Sequence, residues 1–156
     1  MKLTEILWHT KKFEELEQTE LYKIMKLRQD VFILEQSCFY ADLDNKDIQS
    51  LHIFATRKDD KNLLAYARVL PKGLSYEEVS IGRVVTHPNY RHLKLGRNLM
   101  MKCIEAVSHH YGTQSIRISA QAYLKEFYMN IGFKPTSEIY LEDNIPHIEM
   151  LYMDAS

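Results

Sequence analysis

The chain has 156 residues, 46% hydrophobic and 26% charged, with a formal net charge of −1, which fits one globular domain over residues 1–156 with a sizeable core. A nucleic acid or an anionic membrane would favour a clustered basic excess, so neither is expected as a partner. Cys38 and Cys103 lack metal-site or redox spacing, and neither a signal peptide nor a bilayer-length apolar run is read, so the expected setting is a reducing cytoplasm, with no metal.

In chain order, residues 5–9 read as a first strand. Residues 20–35 read as a helix, because Leu21, Ile24, Leu27, Val31 and Leu34 recur at helical spacing. The polar run 42–47 reads as a loop, and Lys46 and Asp47 at its fifth and sixth positions exclude a calcium loop. Residues 51–57 and 63–70 alternate as two strands, joined across Lys58-Asp59-Asp60-Lys61-Asn62, which has the composition of a hairpin turn. Residues 79–86 form the next strand. A helix follows, with Leu99, Cys103, Val107 and Tyr111 at successive i, i+4 steps and Gly112 at its end. Residues 115–120 predict a buried strand, 123–131 a short helix ended by Gly132, and 136–141 and 147–153 two closing strands.

The stretch VSIGRVVTHPNYRHLKLGRNL, residues 79–99, has the layout of a phosphate cradle: a β-branched strand breaks at His87-Pro88 and passes through a basic loop into the apolar-striped helix. A helix start leaves backbone N–H groups unpartnered and carries partial positive charge, so a loop presenting Leu93 to Asn98 makes an anion site. Arg91, Lys94 and Arg97 add full charges. A strand leading into such a cradle can also offer backbone groups to an extended ligand, which suits a pyrophosphate with a peptide-like arm such as coenzyme A. A P-loop phosphotransferase is excluded, because Lys94-Leu95-Gly96-Arg97 contains no Gly-Lys-Ser/Thr.

Arg91-His92-Leu93-Lys94-Leu95-Gly96 resembles the signature of the GNAT superfamily of acetyl-CoA-dependent N-acyltransferases, with Lys94 where a first glycine is usual. A second segment in register, SAQAYLKEFYMNIGF at 119–133, is similar to that family's strand, polar residue, short helix with Tyr, then Gly-Phe. Gln121 stands where Asn is common, and Tyr128 where the family places a Tyr near the coenzyme A sulfur. The runs LRQDVFILEQSCFYADLD at 27–44 and EDNIPHIEM at 142–150 resemble the ElaA-type subgroup, so the likeness spans nearly the whole chain. Pro146-His147-Ile148 also resembles glyphosate N-acetyltransferase, in which the matching His is regarded as the base. That enzyme has Arg where this chain has Gln121, so its substrate is not carried over.

The resemblance implies an α+β fold, a mixed and mostly antiparallel central sheet splayed in the middle and flanked by helices on both faces. It implies acetyl-CoA held by Val84, Val85, Thr86, Arg91, His92, Leu93, Lys94, Leu95, Gly96, Arg97, Asn98, Gln121 and Tyr128. An amine attacks a thioester only when neutral, so a base or a tuned site must take its proton, and a His suits that work. His147 is the candidate base. The resemblance places the oxyanion donor at the backbone N–H of Val84 or Val85. Tyr128 can give the leaving thiolate a proton or a hydrogen bond. The activity implied is direct acetyl transfer to a primary amine of a small molecule or peptide. The alternative is an acetyl-CoA-binding module that senses the cofactor with little turnover. A homodimer is left open.

On the acceptor side, Arg28, Arg68 and Arg83 either converge on an acidic substrate group or serve structure. Glu35, Asp42, Asp44 and Asp47 either receive a cationic amine or form a solvated acidic loop. Arg28, Glu35 and Arg83 are the substrate candidates taken forward. Cys38 follows Glu35-Gln36 but reads as a small buried hydrophobe rather than a nucleophile.

Overall fold

The polar stretch 58–62 turns the chain back on itself, with Arg57 N–H donating to the Asn62 carbonyl at 2.9 Å and Lys61 in the left-handed region at φ 59°. The strands it joins, β2 (Leu51–Arg57) and β3 (Leu63–Leu70), are buried almost end to end. Both their faces are covered, which is why they read as near-continuous apolar runs. This architecture comes from a computed structural model that describes residues 5–153. The ends of the expected domain, residues 1–4 and 154–156, lie outside the described residues.

The remaining elements are β1 (Ile6–Lys12), α1 (Gln18–Arg28), β4 (Val79–Thr86), α2 (Gly96–Tyr111), β5 (Ile116–Gln121), α3 (Lys125–Ile131), β6 (Phe133–Pro135), β7 (Tyr140–Glu142) and β8 (Ile145–Tyr152). They form one sheet in the order β1-β2-β3-β4-β5-β8-β6, with β7 also on β8. Every pairing is antiparallel except β4 with β5. On one face, α2 and α3 bury Leu99, Met100, Cys103 and Val107 with Ile53, Ala65 and Val79. On the other, α1 buries Ile24 and Leu27 against Phe54 and Tyr66. The splayed sheet with helices on both faces is the expected GNAT architecture. Among the described residues, no helix is long and apolar enough to cross a membrane.

Two expectations are corrected. The helix expected over 20–35 is α-helical only as α1 and continues as a π-helical run, Gln29–Glu35, in which Gln36 N–H reaches the Val31 carbonyl and Cys38 N–H the Ile33 carbonyl. The wider turn breaks the 3.6-residue stripe, so Val31 stays buried while Leu34 is 62% exposed. The strand expected over 136–141 is interrupted. β6 pairs with one half of β8 and β7 with the other, while the Ser137 hydroxyl accepts the Glu149 N–H in the gap between them. Local alternation marks extended backbone but does not show that the ladder is broken.

Candidate active site

The opening in the sheet lies between β4 and β5. Their pairing is confined to Val79 with Ile116 and Ser80 with Arg117. Beyond it β5 follows β8 as far as Gln121 opposite His147, while β4 continues with β3. The gap opens into a cleft of ≈ 990 Å³ walled by Ile81–Thr86 on the β4 side and Ile118–Gln121 on the β5 side. An extended ligand with amide groups can add to the free edge of β4 there, as strands do in β-augmentation.

β4 carries a bulge at this point. Val85 pairs with Tyr66 and Gly82 with Arg68, so Arg83 and Val84 together face Ala67. Arg83 takes the left-handed conformation, φ 52°, without being glycine. A bulge leaves one residue out of the ladder and re-aims its neighbours. This one sits where Val84 and Val85 line the cleft.

The cradle forms at the cleft mouth. His87 accepts the Asn89 N–H on its ring, and a 3-10 turn, Pro88–Leu93, ends at Lys94, whose φ of 52° and ψ of 49° are left-handed. The first α2 bond joins Leu99 N–H to the Leu95 carbonyl at 2.8 Å. The N–H groups of Gly96, Arg97 and Asn98 therefore have no intrahelical partner. A Cβ on Gly96 would meet the Phe127 ring at 3.3 Å, so a side chain there would crowd the start of α2 against α3. Glycine keeps the backbone approachable, as a pyrophosphate site requires.

Arg91, Lys94, Leu95 and Gly96 line the cleft. Leu93 instead packs on the core, Arg97 reaches the Asn130 carbonyl at 3.4 Å, and His92 and Asn98 are exposed. Arg91 forms a two-bond pair with Glu35 at 2.5 and 3.1 Å, and this pair lowers the Glu35 carboxyl pKa. Glu35, a substrate candidate, is thus held by the basic loop that precedes α2. Gln121 donates to the Gln36 side-chain oxygen at 3.3 Å.

Tyr128 serves two roles at once. Its ring is buried in the core, edge-on to Phe127 and Phe133, yet the residue also lines the cleft. Burial raises the phenol pKa well above its ordinary value of 10.0. His147 is buried at the β5–β8 end of the cleft. Its Nδ1 donates to the Ile145 carbonyl at 2.7 Å, which fixes the tautomer and turns Nε2 toward Glu142, 3.3 Å away. Glu142 accepts from Ser119 at 3.2 Å, and Ser119 meets the Tyr140 hydroxyl at 2.5 Å. Sequence reasoning missed Ser119, Tyr140 and Glu142. The available signal for Ser119 was its alternation with Ile118 and Ala120 on β5, and for Glu142 its place five residues before His147.

The acidic loop is not solvated, which corrects one of the two expectations for it. Arg28 is completely buried and bonds Asp42 at 2.9 Å and Asp47 at 2.6 Å. Arg68 clasps Asp44 with two bonds and also bonds Asp47. Arg83 bonds Asp42 through Nε and the Asp42 carbonyl through Nη2. Burial alone would raise the Asp44 and Asp47 pKa values, but the arginine hydrogen bonds and charges outweigh it and hold both carboxyls below their ordinary range. Arg28 is therefore spent inside the cluster and cannot meet a substrate. Arg83 stays half-buried on the cleft wall.

Residues 22–153 match the acetyltransferase (GNAT) domain family. The chain belongs to the GNAT acetyltransferase family. Over 147 residues, 93% of this chain and 95% of that protein, it is 40% identical to Protein ElaA of Escherichia coli (strain K12). The crystal structure of Escherichia coli ElaA matches with a TM-score of 0.87 at 38% identity, covering 94% of this chain and 99% of that one. An acyl-CoA N-acyltransferase from Pseudomonas aeruginosa gives 0.88 at 38% identity with the same coverage of both chains.

The one GNAT signature position this chain departs from has a physical reading. Glycine is usual at position 94 because the backbone there is left-handed, a region that costs an L-residue roughly 1–2 kcal/mol. Lys94 bears that strain and places an ammonium group at the cleft wall. Lys94→Gly is expected to raise thermal stability by about 1 kcal/mol and to weaken acetyl-CoA binding severalfold. Thermal melts and a titration of the same variant check both signs.

Proposed function

We propose that this GNAT protein is an acetyl-CoA-dependent N-acetyltransferase that moves an acetyl group by direct attack to a primary amine of a small molecule or peptide. The observation that carries the reading is the coincidence, in one cleft, of the opened β4 edge, the unpartnered N–H groups at the start of α2, and Tyr128. The residues fit the cofactor, since the cradle is basic and its glycine leaves the backbone open to a phosphate. Bound acetyl-CoA supplies an activated acetyl thioester.

The chain's own residues supply the remaining work. Backbone N–H groups from Gly96 to Asn98, with Arg91 and Lys94, hold the pyrophosphate. The bulged backbone at Val84 and Val85 offers an N–H to the oxyanion, a donor type whose removal in other enzymes costs about 10²–10³ in kcat. Tyr128 stays neutral because burial disfavours its phenolate, so it donates a hydrogen bond to the leaving sulfur. His147 is the base. With its Nδ1–H held by the Ile145 carbonyl, Nε2 takes the amine proton, and the carboxylate of Glu142 beside it draws the proton toward solvent.

The test is thermal. Acetyl-CoA at a hundred times its Kd should stabilise the fold by ~2.7 kcal/mol. Gly96→Glu should abolish the rise in Tm by setting a carboxylate against the phosphates, while Gly96→Ala retains part of it. An unchanged rise in folded Gly96→Glu would place the phosphates elsewhere. Release of free CoA across a panel of amines tests turnover, and silence from every amine would favour the sensing module.

A further inference from the structure

The acceptor half of the cleft is divided by charge. On the β4 side stand Arg28, Arg68, Arg83 and Lys46, four cations, against Asp42, Asp44 and Asp47, three carboxylates. All three carboxylates are engaged with arginine. The cations retain donors. Arg83 uses Nε and Nη2 on Asp42 and Asp44, and among the described residues no hydrogen bond engages its Nη1. Among the described residues the Lys46 ammonium reaches only the Ser75 hydroxyl, at 2.7 Å. Arg68, 3% exposed, lines the same wall with its Nε buried and without a partner.

The opposite arm of the splay has the reverse character. There Glu142, beside His147, meets only the Ser119 hydroxyl and the imidazole, with no arginine or lysine on it among the described residues. A polycation would bring further positive charge against a wall that already has one cation in excess. An acceptor with a negative group would complete the Arg83 and Lys46 donors and leave its amine toward His147.

We infer that the acceptor of this cleft is an amine that also carries an acidic group, a carboxylate in the simplest case, received by Arg83 and Lys46 while the amine faces His147 and Glu142. This rests on the acetyl-transfer reading and adds the class of acceptor to it. Guanidinium and ammonium together suit a carboxylate, the first through its planar fork and the second as a mobile point charge. The pairing also sets specificity, since a neutral isostere leaves the same donors unpaired.

The experiment titrates the CoA-saturated protein, by calorimetry, with α- and ω-amino acids and with the carboxamide of each. At least one acid should bind ten times more tightly than its carboxamide, and Arg83→Gln should erase that ratio. Because Arg83 also holds Asp42, Lys46→Ala is the safer variant. It removes only the Ser75 contact of the side chain and should reduce the ratio to about threefold. Equal affinity for acid and amide, binding by none of them, or a ratio unchanged in Lys46→Ala overturns the inference. CoA without its acetyl group permits no turnover, so the two readings fail separately. A carboxylate preference with no acetylation once acetyl-CoA replaces CoA would end the transferase reading alone.

Discussion

Tyr128→Phe is expected to lower kcat by ~10²-fold or more while acetyl-CoA affinity changes less than about twofold. The ring packs edge-on against Phe127 and Phe133 in the core, so Phe preserves the contacts that shape the cleft. The hydroxyl alone is lost. Burial holds that phenol neutral across the working pH range, which fits a hydrogen-bond donor to a developing thiolate rather than a group that ionises on its own. Stopped-flow release of free CoA under saturating cofactor separates the two parameters. A kcat within threefold of the parent would assign Tyr128 to the core alone. Loss of cofactor binding would make its hydroxyl an anchor for the thioester.

The second large effect concerns stability. Asp47→Asn is expected to destabilise the fold by about 3–5 kcal/mol, because it removes the carboxylate shared by two buried guanidinium groups. Arg28 and Arg68 both donate to the same oxygen, Oδ1, at 2.6 and 2.9 Å, and both side chains are buried. For a chain of this size the Tm should fall by roughly 6–20 °C. A loss below 1 kcal/mol in urea unfolding would show that the cluster is solvated after all.

The same cluster sets the response to acid. Asp44 and Asp47 titrate below their ordinary value of 3.8 in the folded chain, so in that range the unfolded chain binds more protons. Their stabilisation is complete above the unfolded value, about 4, and is lost as pH falls toward the folded values. His52 adds an earlier loss. Burial lowers its pKa from 6.5, with Nδ1 on the Tyr66 hydroxyl and Nε2 on the Asp47 carbonyl. The unfolded chain therefore gains a proton first, and stability declines from about pH 6.5 downward. Asp47→Asn should make the part of the stability profile below pH 4 shallower, with Asp44 supplying what remains, and should steepen the part near pH 6, because the Asp47 charge opposes the burial that lowers the His52 pKa.

Much of the fold was legible because its signals are local. The strands over 51–57, 63–70 and 79–86 appear with the boundaries their patterns predict, since turn composition and apolar runs act within a few residues. The α2 helix is equally plain, because its i, i+4 stripe meets one continuous face of the sheet. Family motifs carried the rest of the site reading. They drew attention to the cradle, Gln121, Tyr128 and His147, which line one cleft although 56 positions separate Arg91 from His147 in the chain.

Other features belong to the tertiary structure. The π-helical run after Arg28 has no marker in a pattern of apolar spacing, and the contacts beyond it are long-range ones, Gln36 with Gln121 of β5 and the Cys38 thiol with the Asp143 carbonyl just after β7. The break between β6 and β7 depends on how β8 divides its edge between them. Above all, composition could show that residues 42–47 are acidic but not that three arginines from α1, β3 and β4 converge on them. Hydrophobic periodicity is written along the chain and fixed the elements and their faces. Charge pairing, burial and the parting of β4 from β5 arise between residues tens of positions apart, so only the folded chain decided which carboxylates are spent, which cations are left over and where the cleft opens.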